Sequence, residues 1–297
     1  MKTRIITAVV ALAVFVPFLY FSGTHAFTAV MALLALIAAF ELLRCTGVGA
    51  AERKDPGAEL HNGSGKKTAA HYLASVFSFF CAAGIPLCVR LCDAERDRTA
   101  LIFRICALYV ILMLCTAMFS RGSLEIRDAA VCAVCVMYSS FGFASALLLR
   151  DGKNGEFIYL LAFILPWVSD TFAYFTGYFF GRHKLIPEIS PKKTVEGAVG
   201  GVVFGAVGAV VYGIAVGKLS GLSPDYLSLA VVGALAAALS QCGDLIASAV
   251  KRAYDLKDYG NLLPGHGGIM DRFDSTVITA SAMYLLISTF GFLKLFA

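Results

Sequence analysis

Between Gly243 and Ser275 the chain reads GDLIASAVKRAYDLKDYGNLLPGHGGIMDRFDS. This stretch gathers Asp244, Ser248, Lys251, Arg252, Lys257, Asp258, His266, Asp271, Arg272 and Asp274 within about thirty residues. Asp244, Ser248 and Lys251 stand at i, i+4 and i+7, so on a helix they line one side. Gly260, Pro264, Gly265, Gly267 and Gly268 then break any helix, and Asp271, Asp274 and Ser275 restart one at i, i+3 and i+4. Two acid-bearing helix ends thus flank a glycine turn. Asp244 and Asp271, with no Cys and no second His at ligand spacing, suit a hard, oxygen-preferring cation such as Mg²⁺ rather than zinc. Lys251, Arg252, Lys257 and Arg272 add positive charge at the same place, and glycines let backbone N–H groups approach an anion. Acids for a metal, cations and a glycine turn together describe a phosphoryl or nucleotidyl transfer site.

A second polar cluster, RHKLIPEISPKKTVEG from Arg182 to Gly197, enters a long apolar run. Ser190, Lys192, Lys193 and Thr194 can contact phosphate oxygens, and Glu196 can meet a metal or a lysine. The SPKKT run at a helix start favours phosphate contact over a merely topological basic loop. Asp170 lies deep in LPWVSDTFAYFTGYFFG, where a carboxylate in lipid costs about 2.5–3.5 kcal/mol on insertion scales and so faces an interior cavity.

The elements that must hold these residues are membrane helices. Of 297 residues 59% are hydrophobic and only 15% charged, with a mean hydropathy of +0.77, against about 25% charged residues in soluble domains. Nothing alternates as the strands of an outer-membrane barrel do. The reading is an all-α polytopic integral membrane protein of about nine transmembrane helices with a cytoplasmic N-terminus. The spans expected are 5–21 (an uncleaved anchor), 27–43, 71–92, 99–119, 129–149, 157–181, 198–216, 226–250 and 274–296. Residues 1–155 form an N-terminal transmembrane region, with spans 1–5 and a polar cytoplasmic loop at 44–69. Residues 156–297 form a catalytic region with spans 6–9. This arrangement puts most Lys and Arg on the cytoplasmic side, together with both polar clusters, so the net charge of +5 reflects topology and not nucleic-acid binding. Arg104 is expected to snorkel to the headgroups. Cys132 and Cys135 form a mid-span CxxC without His or acidic neighbours and read as small core residues. Gly197, Gly201, Gly205, Ala209, Gly213 and Gly217 recur every four residues, a row that lets a neighbouring helix approach closely.

Ser248-x-x-Lys251-Arg252, four further residues, Lys257-Asp258, and Pro264-x-His266-Gly267-Gly268-x-x-Asp271-Arg272-Phe273-Asp274 resemble the signature of the phosphatidate cytidylyltransferase family. Asp170-x-x-Ala173-Tyr174, Gly181-Arg182 and Ile189-Ser190-Pro191-Lys192-Lys193-Thr194-x-Glu196-Gly197 resemble the family as well. Tyr178 departs from it, since many members carry a basic residue there, and the first 155 residues match in hydropathy alone. The resemblance implies transfer of CMP from CTP to phosphatidic acid, giving CDP-diacylglycerol and pyrophosphate for phospholipid biosynthesis. It implies a Mg²⁺-dependent nucleotidyltransferase of the inner (cytoplasmic) cell membrane, multi-pass, with its active site facing the cytoplasm.

On that reading Asp244 and Asp271 hold one metal ion or two, and Asp274 ligates directly or through water. Ser248 and Lys251 hold phosphate from the same helix face. Lys192, Lys193 and Arg252 meet the triphosphate. Ser190, Thr194, Glu196, Lys257, His266, Gly267 and Gly268 complete the substrate-binding set. His266 fixes the turn rather than serving as a base, and Asp170 lines the headgroup cavity or completes the metal shell. The expected partners are CTP, phosphatidic acid and the lipid bilayer, with no nucleic acid; association as a homodimer stays open. Two rivals remain: a CTP-dependent lipid or polyprenol kinase built from similar parts, and a cation-coupled transporter. The transporter is disfavoured because the acids cluster near one interface and no repeat is visible.

Overall fold

A backbone in lipid has no water to satisfy its N–H and C=O groups, so apolar runs of this length must close their hydrogen bonds within helices. A computed structural model of the chain describes residues 13, 16–49, 68–92, 94–263, 265, 267–290 and 295–296. Most of the expected first span, most of the 44–69 loop and His266 lie outside these residues. The described chain runs α1 (His25–Cys45), α2 (Ala69–Leu91), α3 (Glu95–Phe119), α4 (Ile126–Asp151), α5 (Gly155–Phe180), β1 (Lys184–Ile186), β2 (Ser190–Thr194), α6 (Val195–Ser220), α7 (Tyr226–Ala253) and α8 (Met270–Thr289). Among the described residues seven helices, α1 to α7, are long and apolar enough to cross a membrane. The protein is an all-α, multi-pass membrane protein. The helix α8, whose first turns carry Asp271, Arg272 and Asp274 and whose length includes several Ser and Thr, is not one of those seven.

Two compact units are present. The first gathers the chain up to Ala144 with Lys251–Arg272, and the second gathers Ser145–Val250 with Phe273–Ala297. In the first unit α1 packs on α2 and α2 on α3. Phe27, Met31, Ala35, Ala38 and Leu42 are buried along α1, spaced close to a helical period and so forming one stripe. The helix α3 buries little more than the seam Tyr109, Met113 and Ala117, and the Tyr109 and Ser78 hydroxyls meet at 2.9 Å across it. The Arg90 guanidinium donates to the Thr24 carbonyl at 2.7 Å and the Ser22 carbonyl at 2.8 Å, tying the end of α2 to the start of α1. None of the nine cysteines is in a disulfide, Cys132 and Cys135 included, as small core residues would be.

In the second unit the small-residue row does what its spacing predicts. Gly197, Gly201, Gly205, Ala209 and Gly213 are buried along α6. A Cβ on Gly205 would meet the Ala237 side chain of α7, and one on Gly200 would meet Thr176 of α5. With lipid as apolar as the side chains themselves, such close backbone approach supplies dispersion contact instead of a hydrophobic driving force. The basic segment entering α6, read from sequence as a loop, is an antiparallel hairpin in which Lys184 pairs with Thr194 and Ile186 with Ser190. Too short to signal by apolar alternation, it is fixed at its end by a cap: the Thr194 side chain accepts the Gly197 N–H at 3.1 Å, a common N-terminal stop for the helix.

Candidate active site

The residues singled out by type and spacing fall into two clusters, one in each unit. In the first unit α7 ends at Ala253, and Asp255 takes the left-handed conformation (φ 54°). The Leu256 N–H returns to the Lys251 carbonyl at 2.8 Å. Among the described residues of 257–269 the backbone pairing is an isolated bridge between Leu263 and Gly267; Gly265 and Gly267 have positive φ (79° and 85°), a conformation that favours glycine. The helix α8 then starts at Met270 and brings Asp271 into its first turn.

Asp271 is the hub of this cluster. Its Oδ1 takes the Lys251 ammonium at 2.7 Å, while its Oδ2 accepts the N–H groups of Tyr259 at 2.8 Å and Gly268 at 2.9 Å. Lys251 and Asp271 are both buried, and the Lys251 Nζ stands 5.2 Å from the centre of the Tyr259 ring. A buried carboxylate needs such partners, since desolvation alone would cost several kcal/mol. Glu41, from α1, reaches the same turn. Its Oε1 accepts the Ile269 N–H at 2.9 Å and its Oε2 the Met270 N–H at 2.8 Å. Arg252 is exposed and donates to the Leu256 carbonyl at 2.8 Å; Lys257, Asp258 and Arg272 are exposed. Below α7, Tyr254 donates to Asp128 at 2.8 Å, and burial first, then this carboxylate, pushes its phenol above the usual range.

The second cluster is built from α5, β2 and α7. Lys193 places its ammonium 2.7 Å from Asp244 Oδ2, but without hydrogen-bond alignment: the buried Nζ has no aligned acceptor among the described residues. Ser248 makes a long contact of 3.4 Å to the other Asp244 oxygen. Asp170 lies within electrostatic reach of both Asp244 and Lys193. Beneath them Gln241 donates to the Ser169 hydroxyl at 3.2 Å and the Ala198 carbonyl at 3.1 Å, pinning α5, α6 and α7 together. Glu196 caps the hairpin rather than meeting a lysine. Its oxygens take the N–H groups of Arg182 and His183 at 3.1–3.3 Å and the His183 ring at 2.6 Å. Ser190 and Lys192 stay on the hairpin, Lys192 exposed. Asp274 is buried at the start of this unit's share of α8, with its Oδ1 taking the Ser275 N–H at 2.7 Å.

Sequence singled out Asp170, Lys193, Asp244 and Ser248, which the structure gathers in the second unit, and Lys251, Gly268 and Asp271, which it gathers in the first. It missed Glu41, Tyr259 and Gln241. Glu41 carried a usable signal, an acid inside the apolar run 27–43; Tyr259 acts through its backbone and Gln241 through interhelical hydrogen bonds, neither visible in residue type.

The donor chemistry can be tested against Mg²⁺. Among the described residues no three of His, Cys, Asp or Glu converge as a ready-made cation cage. Mg²⁺ commonly takes one or two carboxylates, waters and substrate phosphates, and does not require such a cage. Asp244, with Asp170 near it, offers oxygens where a cationic ammonium already sits. Asp271 has both oxygens engaged, so a metal there must displace or share with Lys251.

A model of the cytidylyltransferase family matches residues 2–290. A phosphatidate cytidylyltransferase of Bacillus subtilis is 33% identical over 293 residues, 98% of this chain and 99% of its own. Those of Staphylococcus haemolyticus and Staphylococcus saprophyticus are each 32% identical, over 97% of this chain and 99% of theirs.

Proposed function

The chain belongs to the cytidylyltransferase family, and we infer from that membership that it makes CDP-diacylglycerol from CTP and phosphatidic acid. The observation that carries this reading is a likeness spanning nearly the full length of both chains. A phosphate oxygen of phosphatidate attacks the α-phosphorus of CTP, the bond to the β-phosphate breaks, and pyrophosphate leaves with the electron pair. The attacking oxygen is already anionic, so the reaction needs positioning and charge neutralisation more than base catalysis.

Mg²⁺, when bound, neutralises the charge that builds on the phosphate oxygens. By that inference Asp244 and Asp271 would be the residues to hold it; Asp170 lies within electrostatic reach of Asp244. Lys193 offers a buried ammonium short of aligned acceptors, which suits a phosphate oxygen. Lys251 orients Asp271, and Ser248, Lys192 and Arg252 are the further phosphate contacts. Because CTP is a cytoplasmic nucleotide, the hairpin and the 251–272 segment face the cytoplasm of a bacterial-type inner membrane, with the N-terminus on the same side.

Purified protein incubated with phosphatidate, Mg²⁺ and CTP labelled at the α-phosphate should give a labelled CDP-lipid and an equal amount of pyrophosphate. Transfer of a γ-label to lipid with release of CDP would replace this reading by a lipid kinase. Asp244→Asn and Asp271→Asn should each lower turnover by at least about a hundredfold, of the order lost when one charge-stabilising group is removed from a transition state. Near-normal turnover in either variant would refute its metal assignment.

A further inference from the structure

Glu41 is the sole acid of α1, set among Ala38, Ala39, Phe40, Leu42 and Leu43. It is buried, 3% exposed. Both carboxylate oxygens are spent on one purpose: they accept the N–H groups of Ile269 and Met270, at 2.9 and 2.8 Å. These belong to the set of amides that a helix leaves without internal partners at its start. A carboxylate there also meets the positive end of the helix dipole. The residue that caps α8 is therefore supplied from a helix more than two hundred positions away in sequence.

The turn it caps is shaped around the carboxylate. A Cβ on Gly268 would run into the Glu41 carboxyl group, and one on Gly260 would meet the same group at 2.6 Å. At both positions the three nearest atoms all belong to Glu41. Neither glycine has a positive φ, unlike Gly265 and Gly267, so the nearest obstacle to a side chain at either is Glu41 itself. The Gly268 N–H donates to Asp271 Oδ2, one residue from the amide that Glu41 holds. Glu41 and Asp271 thus grip successive amides of one turn, at Gly268, Ile269 and Met270.

We propose that Glu41 is a positioning residue for cytidylyl transfer: its carboxylate caps α8 and fixes the Gly267–Asp271 turn, and with it the Asp271 carboxylate. The proposal rests on the transfer reading above, and it gives the N-terminal region a part in the chemistry through one side chain. Glu41 itself touches no reacting atom. A displacement of the turn by about 1 Å is enough to cost a catalytic site up to a hundredfold, and loss of an outer partner of a metal ligand commonly costs ten- to a hundredfold.

The test uses Glu41→Gln, Glu41→Ala and Gly268→Ala in the full-length detergent-purified protein. The Gln variant keeps shape but leaves one amide facing an NH₂ that cannot accept. Its kcat should fall about tenfold or more while KM for CTP and for phosphatidate stays within about threefold. Hydrogen–deuterium exchange in peptides covering 263–272 should quicken, with other peptides unchanged. Gly268→Ala should cost about tenfold or more in the wild-type background and no more than about twofold further in Glu41→Ala, since the clashing group is then gone. Unchanged kcat in Glu41→Gln, unchanged local exchange, or equal cost of Gly268→Ala in both backgrounds overturns the proposal. Turnover by the wild-type protein, measured alongside, separates failure of this inference from failure of the transfer reading.

Discussion

Two lysine–aspartate pairs, each 2.7 Å long, carry the polar chemistry of this protein, and burial decides what each is worth. Lys251 and Asp271 have side chains only 10% and 2% exposed, whereas Lys193 and Asp244 are 25% and 30% exposed. Removing one partner of a buried pair strands the other charge, at a cost of about 3–5 kcal/mol. Lys251→Met is therefore expected to lower the thermal unfolding midpoint in detergent by many degrees, even at saturating Mg²⁺. In Lys193→Met the lost ammonium is itself buried, but both side chains of the pair are partly exposed and its worth is about 1 kcal/mol or less. This variant should leave that midpoint nearly unchanged while turnover drops about a hundredfold. Comparable loss of stability in the two variants would contradict this division. Residue type and spacing were enough to single out both lysines and both acids. They were not enough to pair them: sequence placed Lys251 on the phosphate, whereas the fold sets it on Asp271, because a buried carboxylate takes the nearest cation.

At the scale of elements, the four-residue rhythm of small residues in α6 was the most legible feature of the sequence, because helix packing in lipid depends on backbone approach that only Gly and Ala permit. Gly205 faces the Ala237 methyl directly, while Val207 is 50% exposed on another side of the same helix. Gly205→Leu should therefore destabilise the protein by at least about 1–3 kcal/mol, as overpacking does, with Val207→Leu within about 0.5 kcal/mol of wild type. Unfolding in detergent, followed by circular dichroism, compares them. The β1–β2 hairpin was illegible for the opposite reason. Ser190–Thr194 reads SPKKT, with no apolar alternation to mark a strand, and its pairing is imposed by the two helices whose ends it joins and by the caps at Thr194 and Glu196. Asp225 illustrates a cap of the same kind. The Ser228 hydroxyl beside it, with the Leu227 and Ser228 N–H groups, holds its carboxyl below the usual range. A lowered native value means that its stabilisation is complete at neutral pH and fades as acid protonates it.

Taken whole, the chain builds its compact units from segments distant in sequence. Lys251–Arg272 groups with the N-terminal helices and Phe273–Ala297 with the second unit, a division set by long-range contacts such as Glu41 with Met270, which no local pattern encodes. The proposed orientation, by contrast, rests on lengths and charges. The helix α6 has 26 residues, about 39 Å at 1.5 Å per residue, which exceeds the roughly 30 Å hydrocarbon core. Its two ends must then lie at opposite faces of the membrane. The cationic hairpin with Arg182, Lys184, Lys192 and Lys193 precedes one end, and Lys218 with Gly221 closes the other. Lys and Arg concentrate on the cytoplasmic side, so the proposed orientation puts the hairpin end in the cytoplasm and the Lys218 end outside. Lys184 and Lys218 are both exposed, so single cysteines there report the two faces. With the parent protein as background, Lys184→Cys should react with a membrane-impermeant maleimide in inverted vesicles and not in intact cells or right-side-out vesicles. Lys218→Cys should show the reverse. Labelling of both from one side would place the two ends of α6 on one face, and labelling in the opposite sense would put the hairpin where CTP is absent and so remove it from the nucleotide site.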